Sequence, residues 1–566
     1  MKRLIPILFI TICLISNVAF AQKPVPRATL NNAGVARLEQ TIPHLMSEAD
    51  IPGLSIAVIR DSKVIWTRGF GLTNSETKAP VNDNTVFEAA SLTKPVFAYA
   101  VLKLVDSGKL DLDTPLVKYL PGRYDVGDDS RLDQITARHV LSHTTGFPNW
   151  RPRGDKTLKI HFTPGDRFSY SGEGFVYLSK AVEQITGQSP VAFIKRTVLD
   201  PLQMKSSNLI WRDDYESLKT FTHDAVGGVS GRGKPDKPNA AASLQTTAND
   251  YAKFVIAMLK GNGLKSGTAR LMLTPQSSVT LAGAFNLNAP DAKRSPTVSW
   301  GLGWGLEQTA EGIGFWHWGD NGDTKAFVLA FPKQKTGLVM FANSANGLSI
   351  INELVSSVMG NDHPALAWLN LEQYNSHPRL MLKAIIKSDA ETVLADYRQR
   401  RAEYNAKMSD TKTSHSKTSD TVQSADQSAT SSKTKENSGP SAKSAKADGN
   451  SGPSVTTSKT KDPNPKTNNT QALDNLSLTE NQMNRLGYQL LRLKRVKDAI
   501  AVFKQNTVDF PQAFNTWDSL AEGYMIEGDN ESAIKYYKKS LELNPDNTNA
   551  TQKLKELRDK LRIVVH

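Results

Sequence analysis

The chain has 566 residues and a formal net charge of +13, which is modest for this length. A chain this long exceeds a single hydrophobic core, so two or more domains are expected. Its basic residues are scattered rather than gathered into one stripe, and this distribution predicts no nucleic-acid partner.

The first residues have the composition of a secretory signal peptide, which we place at residues 1–21. Lys2 and Arg3 precede an apolar run, and Ala19-Phe20-Ala21 supplies the small residues of a cleavage site. The single cysteine, Cys13, lies inside the apolar run, so the mature chain would have no disulfide and no thiolate metal site. The sequence therefore predicts an exported protein, periplasmic or secreted, and no later apolar run is long enough to span a bilayer.

Residues 28–362 carry the pattern of one mixed α/β domain. A helix is predicted over Arg27–Asp50, followed by a β-hairpin of Leu54–Ile59 and Val64–Gly71. A meander of four strands is predicted near the end of the domain, at Val298–Glu307, Gly312–Trp318, Lys325–Phe331 and Leu338–Ala342. Strands at both ends with helices between them predict one antiparallel sheet flanked by helices.

The stretch Phe87–Ala100, which reads F-E-A-A-S-L-T-K-P-V-F-A-Y-A, predicts a strand end, a tight turn and a helix. It places Ser91 and Lys94 one helical turn apart on the same face. A serine hydroxyl needs an adjacent base, and a lysine whose pKa is lowered by burial or by a neighbouring cation can be that base. The free N–H groups at the start of a helix also suit a developing oxyanion.

The S-x-x-K spelling by itself is not specific. It recurs at Ser75, Ser409, Ser414, Ser432, Ser458 and Ser532. Only Ser91 combines an apolar lead-in with an amphipathic helix, and this context makes it the candidate nucleophile.

Two histidines, His139 and His143, lie four residues apart in I-T-A-R-H-V-L-S-H-T-T-G-F-P. This spacing is compatible with a metal site, but no third ligand follows at a suitable distance. A pair of structural histidines is the favoured alternative. We therefore predict no metal and no cofactor.

Three further segments follow the α/β domain. Residues 363–404 are predicted to form a helical extension, in which Arg379–Arg401 is amphipathic and is expected near the C-terminal helices. Residues 405–470 contain no aromatic residue, leucine or isoleucine, and so predict a flexible polar linker. Residues 471–566 complete the chain as a separate domain.

This last domain repeats with a period of 34 residues. Five pairs keep the period, namely Gly487/Ala521, Leu490/Tyr524, Ala499/Ala533, Phe503/Tyr537 and Pro511/Pro545. The pattern is typical of all-α tetratricopeptide repeats, with Thr548–Leu561 as a capping helix. Such repeats bind peptides or proteins in a concave groove. A protein partner in the groove and a purely stabilising appendage are both left open.

Four short elements, in order, carry a resemblance to a known superfamily. They are S-L-T-K at Ser91, L-S-H-T-T-G-F-P at Leu141, Y-S-G at Tyr170 and H-W-G at His317. Through them, the chain from about residue 30 to 360 resembles the serine β-lactamases, penicillin-binding proteins and family VIII esterases, on the class C side. The resemblance implies a β-lactamase/transpeptidase-like fold.

The resemblance also implies a role for each matching residue. Ser91 would be the acylated nucleophile, and Lys94 would hold its proton network. Tyr170, for which position alone favours a core or capping role, would shuttle the proton in acylation and activate water in deacylation. His317 stands where the family usually has a lysine.

The third element would also complete the oxyanion hole. The backbone N–H groups of Ser91 and of Asp320, the residue after Gly319, would form it. A literal K-T-G at 335–337 is the alternative to H-W-G for this element. We reject it because it lies in a predicted hairpin turn, where a lysine and a glycine need no function.

Two departures from the family pattern bear on the substrate. Gly172 stands where β-lactamases have an asparagine, whose amide would bind an acylamide group of the substrate. His317, mostly neutral near pH 7, is a weaker partner for a carboxylate than lysine. Efficient β-lactam hydrolysis is therefore not expected, although the acylation chemistry is intact. The role of the neighbouring Glu173 stays open.

The sequence thus predicts an exported serine hydrolase that cleaves an ester or amide of a small acyl or peptide substrate through a Ser91 acyl-enzyme. Two alternatives remain. One is a D,D-peptidase of the penicillin-binding type acting on peptidoglycan stem peptides. The other is a catalytically silent protein that binds through its repeats.

Overall fold

The computed structural model describes residues 32–122, 124–152, 154–360, 362–403 and 478–564. The predicted signal peptide and linker lie outside these residues. The described residues divide into two compact units: those up to His223 with Val229–Leu371, and Asp224–Gly228 with those from Glu372 onwards.

The first unit is built on an antiparallel sheet. The strands are β1 (Gly53–Arg60), β2 (Lys63–Gly71), β3 (Phe87–Glu88), β4 (Thr222–His223), β5 (Val229–Gly231), β6 (Gln245–Thr246), β7 (Ser277–Thr280), β8 (Arg294–Trp300), β9 (Gly305–Thr309), β10 (Gly312–Asp320), β11 (Lys325–Phe331) and β12 (Thr336–Ala342). Eight of them form one sheet in the order β2-β1-β12-β11-β10-β9-β8-β7. Leu54 on β1 lies opposite Ala342 on β12, so the sheet joins the two ends of the unit. The predicted antiparallel sheet is confirmed.

The first unit also contains α-helices. They are α1 (Asn32–Glu48), α2 (Thr93–Asp106), α3 (Ala137–Leu141), α4 (Gly172–Thr186), α5 (Pro190–Ile194), α6 (Tyr215–Leu218), α7 (Ala248–Lys260), α8 (Ser266–Met272), α9 (Ile351–Met359) and α10 (Pro364–Leu369). Every residue of α2 from Thr93 to Leu102 is buried. A helix buried on all sides lies inside the core, so whatever α2 carries at its start is held by the core.

The single strand predicted over Val298–Glu307 is wrong. The structure has two strands there, β8 and β9, with a turn between them. Gly303 in this turn has φ +86, and a Cβ on it would lie 2.4 Å from Cβ of Ala98. The chain therefore bends where its backbone passes against α2, which a run of strand-forming residues does not reveal.

Helix α4 begins at Gly172, directly after Tyr170 and Ser171. The Ser171 side chain caps it by accepting a hydrogen bond from the Gly174 N–H at 3.0 Å. Gly172 and Glu173 therefore belong to the first turn of the helix, and Tyr170 lies just before the cap.

The second unit is all-α. Its helices are α11 (His377–Lys387), α12 (390–403), α13 (Glu480–Arg492), α14 (Val496–Asp509), α15 (Phe514–Glu527), α16 (Asn530–Leu543) and α17 (Thr548–Val564). The predicted tetratricopeptide repeat domain is confirmed. The amphipathic Arg379–Arg401 segment is two helices rather than one, and its buried Leu382 and Leu394 belong to one core cluster with Met483. Among the helices of the described residues, none is long and apolar enough to cross a membrane.

The small residues of the repeat lie where helices cross. A Cβ on Gly487 of α13 would lie only 2.2 Å from the ring of Phe503 on α14. The two helices pack this closely only because position 487 has no side chain.

We expect Gly487→Ala to destabilise the repeat unit by about 1–3 kcal/mol, because the extra methyl group overlaps the buried Phe503 ring. Urea or thermal unfolding of the full chain, followed by circular dichroism, measures the change. Gly267→Ala in α8 is the matched control, since nothing lies within 4 Å of its added Cβ. An unchanged unfolding free energy of the repeat unit in Gly487→Ala would contradict the packing argument.

Candidate active site

The structure places Ser91 in a 3-10 turn, Ala90–Leu92, between β3 and α2. Ala90, the preceding residue, has φ +48, which residues with a side chain rarely adopt. Thr93 holds this turn: its Oγ1 donates to the Ala90 carbonyl at 2.6 Å and accepts from the Leu244 N–H at 2.9 Å. The half-buried Ser91 is therefore presented on a braced, strained turn.

Lys94 lies one turn further on, in the first turn of α2. Its Nζ donates to Ser91 Oγ at 3.1 Å and to the Ala241 carbonyl at 2.9 Å. The side chain is fully buried, and this burial lowers the pKa of Lys94 from 10.5 to about 7. A neutral lysine is therefore well populated near pH 7 and can accept the proton of Ser91.

Tyr170 lies over the same lysine, with its ring centre 4.7 Å from Lys94 Nζ. Burial raises the pKa of Tyr170 above its usual range, and the nearby Ser91 hydroxyl only partly offsets this effect. No described residue lies in hydrogen-bonding geometry with the Tyr170 hydroxyl. It is a neutral phenol at pH 7, able to pass a proton on but not to act as a free phenolate.

His143 supports Tyr170 from behind. The two rings stack with centres 4.2 Å apart, and His143 Nδ1 accepts a hydrogen bond from the Ser171 N–H at 2.9 Å. Burial and the charge of Lys94 lower the pKa of His143 well below its usual value. His139 instead hydrogen-bonds the Gln134 carbonyl through Nδ1. Both histidines thus contact neighbouring side chains and backbone. The described residues contain no cluster of three or more His, Cys, Asp or Glu side chains suited to a metal.

His317 on β10 is fully buried. Its Nδ1–H donates to the Trp318 carbonyl at 2.7 Å, and its Nε2 finds no partner among the described residues. Burial, with the charge of Lys94 as a second cause, lowers the pKa of His317 to about 3. The imidazole is therefore neutral at working pH and offers no positive charge to a substrate carboxylate.

The end of β10 lies against the Ala90–Leu92 turn that carries Ser91. A Cβ on Gly319 would lie 2.5 Å from the Ala89 carbonyl oxygen, so only glycine allows this approach. The next residue, Asp320, is exposed, and its carboxylate pairs with Lys325 at 2.5 Å. The strand end that the sequence predicts for the oxyanion hole is thus next to Ser91.

The rejected K-T-G lies at the other end of the sheet. Lys335 has φ +56 in the turn between β11 and β12. The seven residues of β11 separate this turn from the Asp320 end, a distance of about 20 Å along the strand. Lys335 is therefore a turn residue.

Gly172 and Glu173 both contact the loop of Asn149, Trp150 and Arg151. The Gly172 N–H donates to the Asn149 backbone and side-chain oxygens, each at 3.0 Å. Arg151 binds the buried Glu173 carboxylate through Nε at 3.1 Å and Nη2 at 3.0 Å. Glu173 therefore fixes this loop, which is a role that the sequence leaves open.

Several neighbours of the site escape sequence reasoning. The Ala241 carbonyl that binds Lys94 gives no side-chain signal. Asn321 donates its amide to the Glu88 carboxylate, and both line a cavity of about 300 Å³ with Ala242. These contacts join segments distant along the chain, which no local motif marks.

The Beta-lactamase family model matches residues 38–350, which is more than half of the chain. The chain belongs to this family of β-lactamase-fold serine hydrolases. A Tetratricopeptide repeat model also matches, at residues 514–547.

Two curated relatives are similar to the family domain. Protein flp of Staphylococcus aureus (strain MW2) is 25% identical over 331 residues, covering 56% of this chain and 64% of its own. Esterase EstB of Burkholderia gladioli is 29% identical over 202 residues, covering 31% of this chain and 51% of its own. The alignment thus spans less than two thirds of either relative.

Solved structures also match. A penicillin-binding protein homologue from Pyrococcus abyssi is 24% identical with a TM-score of 0.49, over 62% of this chain and 81% of its own. A class C beta-lactamase is 21% identical with a TM-score of 0.49, over 58% of this chain and 98% of its own.

We expect the rate at which a fluorophosphonate labels Ser91 to rise with pH and to level off above a midpoint near 7, as Lys94 loses its proton. Stopped-time labelling and intact-mass spectrometry measure the rate. A rate that stays flat across about two pH units on either side of neutrality would exclude Lys94 as the base.

We also expect Lys94→Met to stabilise the first unit at pH 7, by on the order of 1–3 kcal/mol. Between about 7 and 10.5 the unfolded chain binds the lysine proton and the folded chain does not, so burial of Lys94 destabilises the fold more as pH falls through this window. The stability that Lys94→Met gains over the wild-type chain should therefore shrink as the pH is raised towards 10.5. Unfolding by urea at several pH values tests this, with Lys103→Met on the same helix as the control.

Proposed function

We propose that this chain is an exported serine hydrolase that cleaves an ester or amide through an acyl-enzyme on Ser91. The observation that carries the proposal is the contact of Lys94 Nζ with Ser91 Oγ at 3.1 Å, with the pKa of the buried lysine lowered to about 7. Membership of a serine hydrolase family and the similarity to an esterase support it. The proposed export rests on the composition of residues 1–21.

In the proposed reaction, neutral Lys94 takes the proton of Ser91 while Oγ attacks the carbonyl carbon. The oxyanion would be bound by the backbone N–H groups of Ser91 and Asp320. Tyr170 would pass the proton to the leaving oxygen or nitrogen as the tetrahedral intermediate collapses. Water, activated through the same lysine and tyrosine, would then release the acid and restore Ser91.

A substrate that ends in a carboxylate finds little support at this site. His317 is neutral and buried where the family pattern has a cationic lysine. Since a β-lactam and a stem peptide both carry such a carboxylate, we propose ester or simple amide hydrolysis ahead of D,D-peptidase activity. A silent binding protein is disfavoured, because a binding role does not require a buried lysine at Ser91.

We further propose that the repeat unit recruits a protein partner through its concave surface. The support is the Tetratricopeptide repeat match and the helical packing of α13 to α17.

Intact-mass spectrometry after treatment with a fluorophosphonate tests the hydrolase proposal. We expect one adduct on the wild-type chain and none on Ser91→Ala. An absence of adduct on both proteins would refute an activated Ser91. A panel of esters, D-alanyl-D-alanine peptides and a penicillin then separates the candidate activities. A long-lived penicillin adduct together with peptide turnover would favour the peptidase.

A further inference from the structure

Trp150 lies at the mouth of the candidate site. Its side chain is 44% exposed, which is unusual for so large an apolar group. The indole ring centre lies 5.8 Å from Lys94 Nζ, the atom that binds Ser91 Oγ. The exposed indole therefore stands where a substrate would approach the nucleophile.

Trp150 and the Asn149 carbonyl oxygen, which would lie 2.9 Å from a Cβ at position 172, together explain why this residue is a glycine. A Cβ on Gly172 would lie 2.6 and 2.8 Å from two ring carbons of Trp150. Carbon atoms in contact are normally about 3.5–4.0 Å apart. The indole thus occupies the space that a side chain at position 172 would enter, and the two residues fit each other.

The polar side chains on either side of Trp150 are already bonded within the loop. Asn149 Oδ1 accepts the Gly172 N–H at 3.0 Å. The Glu173 carboxylate is bound by Arg151 through two side-chain hydrogen bonds. Asn149 and Arg151 are both less exposed than Trp150, so the indole supplies the largest exposed surface of this wall.

A second exposed aromatic side chain continues the apolar lining. Phe285 is 62% exposed, and its ring centre lies 5.9 Å from that of Tyr170. The neighbouring Ala284 carbonyl accepts the Tyr170 N–H at 2.8 Å, which fixes this loop beside the catalytic group.

We infer that Trp150 is a specificity-determining residue, one that selects acyl groups with a plain hydrocarbon chain and excludes those with an α-acylamino substituent. This inference rests on the proposed hydrolase function. An acylamino group that leaves water against an indole face keeps an unpaired donor and acceptor, which disfavours it by about tenfold or more. The substrate class is then esters or amides of simple carboxylic acids rather than of N-acyl amino acids.

Two esters of matched size test the inference, 4-nitrophenyl pentanoate and 4-nitrophenyl N-acetylglycinate. The measured quantity is kcat/KM for each ester, divided by its spontaneous hydrolysis rate. We expect the wild-type chain to favour the pentanoate by about tenfold or more. Trp150→Ala should reduce this preference by about tenfold, and Trp150→Phe, which retains an aromatic wall, should largely preserve it.

Trp66→Ala serves as the matched control. It removes a half-buried tryptophan from β2, which lies four strands from β10 in the sheet order. The ratio of the corrected kcat/KM values for the two esters should therefore not change. A ratio in Trp150→Ala within about twofold of wild type, or a wild-type preference for the N-acetylglycinate, would overturn the inference.

The failure of this inference and that of the proposed function are distinguishable. Turnover of both esters with a ratio that Trp150→Ala leaves unchanged overturns only the role of Trp150. The absence of turnover and of phosphonate labelling in the wild-type chain overturns both. Labelling of Ser91 in each variant shows that its site is folded, and Trp150→Leu replaces Trp150→Ala if the latter is not labelled.

Discussion

A buried lysine without a carboxylate partner is the constraint on which the rest of the candidate site depends. Lys94 is fully buried, and among the residues that the structure describes its Nζ bonds only to a hydroxyl and a backbone carbonyl. Such a group is tolerated because it gives up its proton readily. The core position of α2 creates this burial, and the loop that provides the Ala241 carbonyl sets where the amine points. The proposed reactivity of Ser91 thus depends on how the whole first unit packs.

The same burial determines the charge of the neighbouring residues. His143 and His317 are both fully buried, and the charge of Lys94 contributes to lowering the pKa of each. Burial thus keeps both imidazoles neutral at pH 7, so a positive charge in this site lies on Lys94 rather than on a histidine. Both imidazoles consequently contribute packing and hydrogen bonds to the site, but no charge. In the proposed reaction, a neutral His317 in place of a cationic lysine would therefore change which substrates fit without disturbing the proton path at Ser91.

The fold is predicted from the sequence through the order of its elements and the four family motifs. The pairing of Ser91 with Lys94 is predicted because helical spacing brings residues three apart to one face. The sequence also predicts the repeat unit, because the 34-residue period is visible in it. Sequence reasoning failed where long-range packing decides the outcome. Val298–Glu307 reads as one strand, yet close contact of Gly303 with α2 divides it. No sequence motif marks Trp150, and its position at the site is shown by its distance from Lys94 and by its contact with the space beside Gly172.

The pairing of β1 with β12 has a consequence for how the first unit is assembled. The hairpin of β1 and β2 is made early in synthesis, but Leu54 finds its partner only when Ala342 has emerged. Until then β1 is an open edge with unpaired N–H and C=O groups, the kind of surface on which unfolded chains associate. Closing so long a loop is slow, and contacts of this sequence separation form late in folding. The last strand of the sheet therefore completes the pairing of β1, and the turn that carries Ser91 gains its fixed geometry only after residue 342 has been synthesised.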